Sequence, residues 1–191
     1  MNPHTHHPPT EPARLPLRSD RREDAPEVIR QWLATAHPTP SRAYTEWTEQ
    51  GVALLPLGRR FNAIRIPGAL VHAATGSDTP DRVAQAVSDT LDGPVIHDQL
   101  TAGPTYYALV PYAPGISWLG ANDTPLLGPD TYLGVPALNR TAPPGTYWVV
   151  PPRYRNHLCP HDAVFDLILT GRRQLRAAAS DNINTTEPEE I

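Results

Sequence analysis

The sequence predicts an α+β fold, in which helices pack against a central mixed, largely antiparallel sheet. Three observations support this prediction. Apolar segments of strand length come in runs and do not alternate strictly with helices. Apolar residues recur at three- and four-residue spacing in longer segments, as in helices that bury one face. The 24 prolines are more than double the usual share and predict short elements joined by rigid loops.

Two helices are expected at the start of the folded region. Asp24 and Glu27 have the spacing of an N-cap and N3 pair, and an apolar stripe at helical spacing follows until Pro38. Ser41 is the expected cap of the second helix, and Gly51 is its expected C′ residue.

Two strands flank a turn in the segment that follows. The run VALLPL at 52–57 is continuously apolar, which predicts a strand covered on both faces. A turn begins at Gly58. The next strand, 61–66, alternates, so Arg65 is expected on the same face as Phe61.

The rest of the chain predicts three further helices and four further strands. The helices are expected at 69–75, from 79 to 91 and from 160 to 179, and the strands at 94–98, 105–111, 131–136 and 146–152. The first two of these strands are expected to pair as a hairpin.

Composition divides the chain into one domain with two tails. Residues 1–23 have almost no large apolar side chains and are expected to be disordered, as is the acidic segment 180–191. Residues 24–179 then form the single α+β domain. Three histidines in the first tail, His4, His6 and His7, are expected to be solvated, although such tracts can hold a metal loosely.

Charge and cysteine content exclude several classes of protein. The net charge is −4 and the isoelectric point is about 6.0, which argues against a nucleic-acid binder whose whole surface is basic. A single cysteine excludes an internal disulfide framework. No secretory signal or apolar run of membrane-spanning length is present, so a cytoplasmic location is expected.

Arg59, Arg60 and Arg65 are the candidate binding residues. They lie close together in sequence around Gly58, and guanidinium groups suit a phosphate, a carboxylate or a nucleic-acid backbone. All sixteen basic residues are arginine, which is also typical of mutational bias in a GC-rich genome.

A zinc site is a weaker hypothesis. His157, Cys159 and His161 occupy alternate positions, which share a face if the segment is extended. A fourth ligand is then needed from elsewhere, such as Asp162 or His72. Alternatively, Cys159 precedes a helix and the two histidines are exposed.

His97 and Asp98 could supply a base or metal ligands at a strand end. Neighbouring side chains on a strand point to opposite faces, so the two are not expected to converge on one ion. The chain has no phosphate-binding loop, nucleotide fingerprint, zinc-protease motif or nucleophile elbow. No catalytic residue and no cofactor are predicted.

The segment from Gly51 to Leu169 resembles a group of small actinobacterial proteins. Those proteins are described as similar to the N-terminal domain of bifunctional DNA primase/polymerases. The resemblance is carried by GVALLPLGRRFNAIRIP, DTPDRVAQAV, GPVIHD, YYALVP, YLGVP and YWVVPP, in that order. It implies a primase/polymerase-like fold with a central sheet.

The chain departs from active members of that superfamily in its acidic residues. Those members hold divalent metals with a D-x-D or D-x-E pair on a strand, which two-metal phosphoryl transfer requires. No predicted strand here contains such a pair, and Asn62 occupies a strand position where an acid could have served as a metal ligand. The resemblance therefore implies a scaffold without its metal site.

Three functional hypotheses remain open. The first is a non-catalytic binding or regulatory module with affinity for nucleotide or nucleic acid through the three arginines. The second is a protein-interaction module or homodimer without a nucleic-acid role, whose strand aromatics form the partner surface. These aromatics are Tyr106, Tyr107, Tyr132, Tyr147 and Trp148. The third is an unrecognised metal-dependent enzyme.

Overall fold

The structure, a computed structural model, describes residues 23–99, 103–115, 118–120 and 122–185. This part of the chain has the predicted α+β architecture. The helices are α1 (Pro26–Ala34), α2 (Pro40–Gln50), α3 (Gly68–Thr75), α4 (Pro80–Leu91) and α5 (His161–Thr185). The strands are β1 (Val52–Pro56), β2 (Phe61–Pro67), β3 (Val95–Asp98), β4 (Thr105–Pro111), β5 (Leu126–Leu127), β6 (Tyr132–Pro136) and β7 (Tyr147–Val150).

The strands form a five-stranded sheet and a separate two-stranded ribbon. The sheet has the order β5-β2-β4-β3-β7, and the ribbon pairs β1 with β6. All strand pairs among the described residues are antiparallel. The predicted pairing of β3 with β4 is confirmed, with Ile96 opposite Tyr107. Strand β5 was not predicted, because a two-residue strand leaves no periodicity in the sequence.

Each face of the large sheet borders its own apolar core. The first core lies between the sheet, α1, α2 and the ribbon, and it includes Phe61 and Ala63. The second core lies under α3, α4 and α5, and it includes Ile64 and Ile66. The alternation predicted for β2 is therefore confirmed, because its odd and even positions enter different cores.

The predicted N-caps of the first two helices are wrong, whereas Gly51 ends α2 in the left-handed conformation expected of a C-terminal glycine. Helix α1 begins at Pro26 after Ala25, and a carboxylate oxygen of Asp24 instead accepts a hydrogen bond from the Arg155 backbone N–H at 2.8 Å. Helix α2 begins at Pro40, one residue before Ser41. In both helices a proline occupies the first turn, where its missing N–H costs nothing.

The prediction that β1 is covered on both faces is also wrong. Ala53 and Leu55 point into the first core, whereas the side chain of Leu54 is 58% exposed. Because β1 belongs to a two-stranded ribbon, only one of its faces packs on helices. Its continuous apolar run therefore belongs to a ribbon strand with one open face and not to a strand covered on both faces.

The last helix is longer than predicted. The predicted end was at residue 179, but α5 continues to Thr185, so 180–185 are helical. The remaining parts of the predicted disordered tails, including His4, His6 and His7, lie outside the described residues except for Glu23. No helix in the described ranges is long and apolar enough to cross a membrane.

Candidate functional site

A closed turn presents Arg59 and Arg60 at its tip. The Gly58 backbone N–H donates to the Phe61 carbonyl at 3.0 Å, which leaves the two arginines between them. Gly58 has a φ of +79°, and a Cβ there would lie 2.6 Å from atoms of Pro129. Glycine is therefore required by both the backbone angle and the close approach. The turn is held in one shape by its own hydrogen bond and by the neighbouring loop.

Both arginine side chains at the tip are exposed. Within the described residues neither of them forms an ion pair with a carboxylate. Asp130 is exposed and directly follows Pro129, the residue that packs on Gly58, so one carboxylate lies in the neighbouring loop. The tip still carries two guanidinium groups against one carboxylate, so it is locally basic on a protein whose net charge is −4.

Two exposed tyrosines border this turn. Tyr132 is 62% exposed and is the partner of Pro56, two residues before Gly58. Tyr112 is 40% exposed and directly follows Pro111, the partner of Phe61. Tyr132 therefore lies beside the strand that enters the turn, and Tyr112 lies beside the strand that leaves it. We call the set Arg59, Arg60, Tyr112 and Tyr132 the turn surface.

The third predicted arginine does not belong to the turn surface. Arg65 lies five residues beyond Arg60 in an extended strand, which separates their Cα atoms by about 16 Å. It is exposed opposite Tyr107, on the part of the sheet face that the helices leave open. Arg65 therefore lies within β2, outside the turn surface, which contains two of the three predicted arginines.

Sequence reasoning identified Arg59 and Arg60 but missed Tyr112. A tyrosine just after a strand-ending proline is a weak signal. Only the register of β2 with β4 brings it beside the turn.

The candidate zinc ligands have other partners. The His157 ring accepts a hydrogen bond at Nδ1 from the Arg153 N–H (3.0 Å), and its Nε2 contacts the Asp92 carbonyl (3.0 Å). Cys159 is fully buried with Sγ 3.5 Å from the Pro94 carbonyl, and burial raises the pKa of its thiol. Both side chains therefore serve the packing of the chain before α5.

The start of α5 separates His161 from His157 and Cys159. His161 begins α5, so the segment is not extended throughout as the zinc hypothesis required. The suggested fourth ligands are also engaged: His72 Nε2 contacts the Tyr106 hydroxyl at 2.9 Å, and Asp162 accepts from the Ala163 N–H at 3.0 Å. In the ranges that the structure describes, no group of three or more His, Cys, Asp or Glu residues could hold a metal ion.

His97 and Asp98 lie on opposite faces of the sheet, as predicted. The His97 ring is buried between the rings of Tyr106 and Tyr147, with centroids 4.5 and 5.1 Å away. Asp98 accepts a hydrogen bond from the Thr146 hydroxyl at 3.3 Å. The pair therefore cannot act on one ion or one substrate atom.

The strand aromatics are mostly core residues. Tyr106, Tyr147 and Trp148 are buried, Tyr107 is half-buried, and Tyr132 is exposed. The predicted partner surface across the aromatic strands is therefore wrong for the three buried side chains. Trp148 belongs to the first core and Tyr106 to the second, and the Tyr147 ring packs against His97.

A groove of about 360 Å³ lies between α1, α2 and the chain after β6. Its arginine, Arg30, lies 3.8 Å from Glu27 and stacks over the Tyr44 ring at 4.7 Å. The charge of this groove is thus already balanced, unlike that of the turn surface.

Acid is expected to destabilise the fold through His97. Burial, with His72 nearby, lowers the pKa of His97, and burial also lowers the pKa of His161. A histidine whose pKa is lower in the folded state binds fewer protons there than in the unfolded chain. The free energy of unfolding is therefore highest above about pH 6.5, the pKa of histidine in the unfolded chain. It falls as the pH drops from there toward the lower pKa of the folded state.

Urea unfolding between pH 7.5 and 5.5 measures this effect. The free energy of unfolding should fall with a slope of at most about 1.4 kcal/mol per pH unit for each of the two histidines. His97→Gln should flatten the curve, since glutamine does not titrate. An equal slope in the variant and the wild type would show that His97 takes no part.

Comparisons of the chain with protein-family models, curated proteins and solved structures give no match.

Proposed function

We propose that this protein is a non-catalytic binding module that takes single-stranded nucleic acid on the turn surface. One observation carries this function: two exposed arginines without carboxylate partners in the described structure are flanked by two exposed tyrosines. Guanidinium groups contact phosphates, and tyrosine rings stack on unpaired bases. The sequence resemblance to primase/polymerase domains favours the same class of ligand.

The exposed tyrosines of the turn surface favour a single strand over a duplex. Bases of a duplex are stacked on each other and leave no face for a tyrosine ring, whereas bases of a single strand can stack on aromatic side chains. The turn also presents only two cations, and weak affinity follows from so few phosphate contacts. We therefore expect micromolar or weaker binding with little sequence preference.

A non-catalytic role agrees with the strands of the sheet. Asp98 is the acidic residue on the described strands, and it lies at the end of β3 with Thr146 as a hydrogen-bond partner. Asn62 on β2 is buried, and its Oδ1 has no partner in the described structure. An amide oxygen is neutral, so Asn62 does not supply the negative charge with which clustered carboxylates hold two divalent ions.

Replacing Arg59 and Arg60 together by alanine is expected to weaken binding of single-stranded DNA about tenfold or more. Each lost charge-assisted phosphate contact is worth about 1 kcal/mol or somewhat more at an exposed site. Fluorescence anisotropy of a labelled oligonucleotide at low salt measures the change.

The control is Arg173→Ala with Arg176→Ala, which removes the same charge from the exposed part of α5. It should bind like the wild type. Asp130→Asn should change affinity in the opposite direction, because it removes the carboxylate beside the turn. Equal losses in the two arginine pairs would mean that only net charge matters, and the turn surface would not be the site.

A further inference from the structure

A small cavity lies against the face of the sheet that α4 covers. It measures about 90 Å³ and is enclosed by the first turn of α4, the loop at 141–143 and the sheet. That volume corresponds to roughly three water molecules at ~30 Å³ each, so it suits a ligand of a few heavy atoms. Tyr106 and Tyr147 supply its aromatic wall, and Val83 and Ala84 are among its apolar walls.

The aromatic wall is supported from behind by histidines. His97 packs against both tyrosine rings, and the Tyr106 hydroxyl is 2.9 Å from His72 Nε2. His97 is 4% exposed, and its Nδ1 has no hydrogen-bond partner in the described structure. A buried ring nitrogen without a hydrogen-bond partner is unfavourable. The side chains around His97 therefore leave its Nδ1 without the polar partner that it needs.

The charge of the cavity is negative. Among the residues that line it, Asp81 in the first turn of α4 is the charged one. Burial raises the pKa of Tyr106, and the negative charge of Asp78 contributes to that rise. The neighbouring Arg82 is exposed and does not line the cavity. The N-terminus of α4 is the positive end of its dipole and opposes a cation, but a carboxylate in the first turn offsets that partial charge.

We propose that this cavity binds a small organic ammonium ion, held against Tyr106 and Tyr147 and paired with Asp81. Tyrosine faces attract cations, and the attraction grows when the cation is removed from water. A small anion would be repelled by the Asp81 carboxylate. The chain contains no lysine, so no ammonium side chain of its own can fill the space.

The test is a ¹H–¹⁵N NMR titration of the full chain with tetramethylammonium and with tert-butyl alcohol, a neutral molecule of nearly the same shape. We expect saturable shifts of amides around Ala84 with the ammonium, and at least about fivefold weaker binding of the alcohol, as a cation–π contribution implies. Equal affinities would overturn the proposal, and so would the absence of saturable shifts.

Two variants locate the binding. Asp81→Asn should weaken tetramethylammonium binding about threefold, the usual effect of losing one exposed ion pair, whereas Asp89→Asn should not. Asp89 is on the same helix, pairs with Gln85 and lies outside the cavity. Ala84→Leu should abolish binding by filling the space, and its amide spectrum shows whether it is folded. Unchanged binding in Asp81→Asn, or binding that persists in folded Ala84→Leu, would contradict the assignment.

Discussion

Replacing Trp148 by alanine is expected to lower the free energy of unfolding by about 3–5 kcal/mol, the range for truncating a buried tryptophan. Trp148 is fully buried in the first core, and its Nε1–H donates to the Pro136 carbonyl at 3.0 Å. It thereby joins β7 of the large sheet to the end of the ribbon. Its loss leaves a cavity and an unpaired carbonyl at the same place.

Trp148→Phe separates these two contributions. Phenylalanine keeps most of the buried ring but removes the hydrogen bond, so a smaller loss of about 1–3 kcal/mol is expected. Urea unfolding followed by circular dichroism measures both variants. Equal losses in the two variants would mean that the hydrogen bond, and not the packing, dominates at this position.

Gly171→Ala is expected to destabilise the protein although alanine is the better helix former. Helix α5 crosses α3 at this position, and a Cβ on Gly171 would lie 2.2 Å from the Leu70 carbonyl oxygen. The gain in helix propensity is about 1 kcal/mol. Forcing a backbone carbonyl out of such an overlap costs about 3 kcal/mol, so a net loss of about 2 kcal/mol is expected.

The control is Ser180→Ala, at an exposed position of the same helix. It changes helix propensity without a steric cost and should be neutral or slightly stabilising. If Gly171→Ala also stabilised the protein, the close crossing of α3 and α5 would be refuted.

Local signals predicted most of the elements but not their partners. The β3–β4 hairpin followed from two apolar segments joined by a turn of Thr, Gly and Pro. Pairing of β1 with β6 joins Val52 to Pro136, and no local pattern encodes contacts over that separation. A continuous apolar run alone therefore predicts a strand covered on both faces, although Leu54 is on an open face.

The sequence predicted the turn of the candidate site but not which aromatic side chains around it are exposed. Gly58 with two following arginines is a turn signal, and the structure has that turn. The exposure of Tyr132 and the burial of Tyr147 could not be distinguished, because both begin short aromatic strands bounded by proline or glycine. Which of them reaches solvent depends on the distant helices that cover the sheet.

The salt dependence of single-stranded DNA binding tests the central claim most directly. For single strands the logarithm of affinity falls with the logarithm of salt by about 0.7 for each phosphate neutralised. Two arginine contacts predict that the wild type has a slope steeper than that of the Arg59→Ala, Arg60→Ala variant by about 1.4. Equal slopes in the two proteins would show that Arg59 and Arg60 neutralise no phosphate.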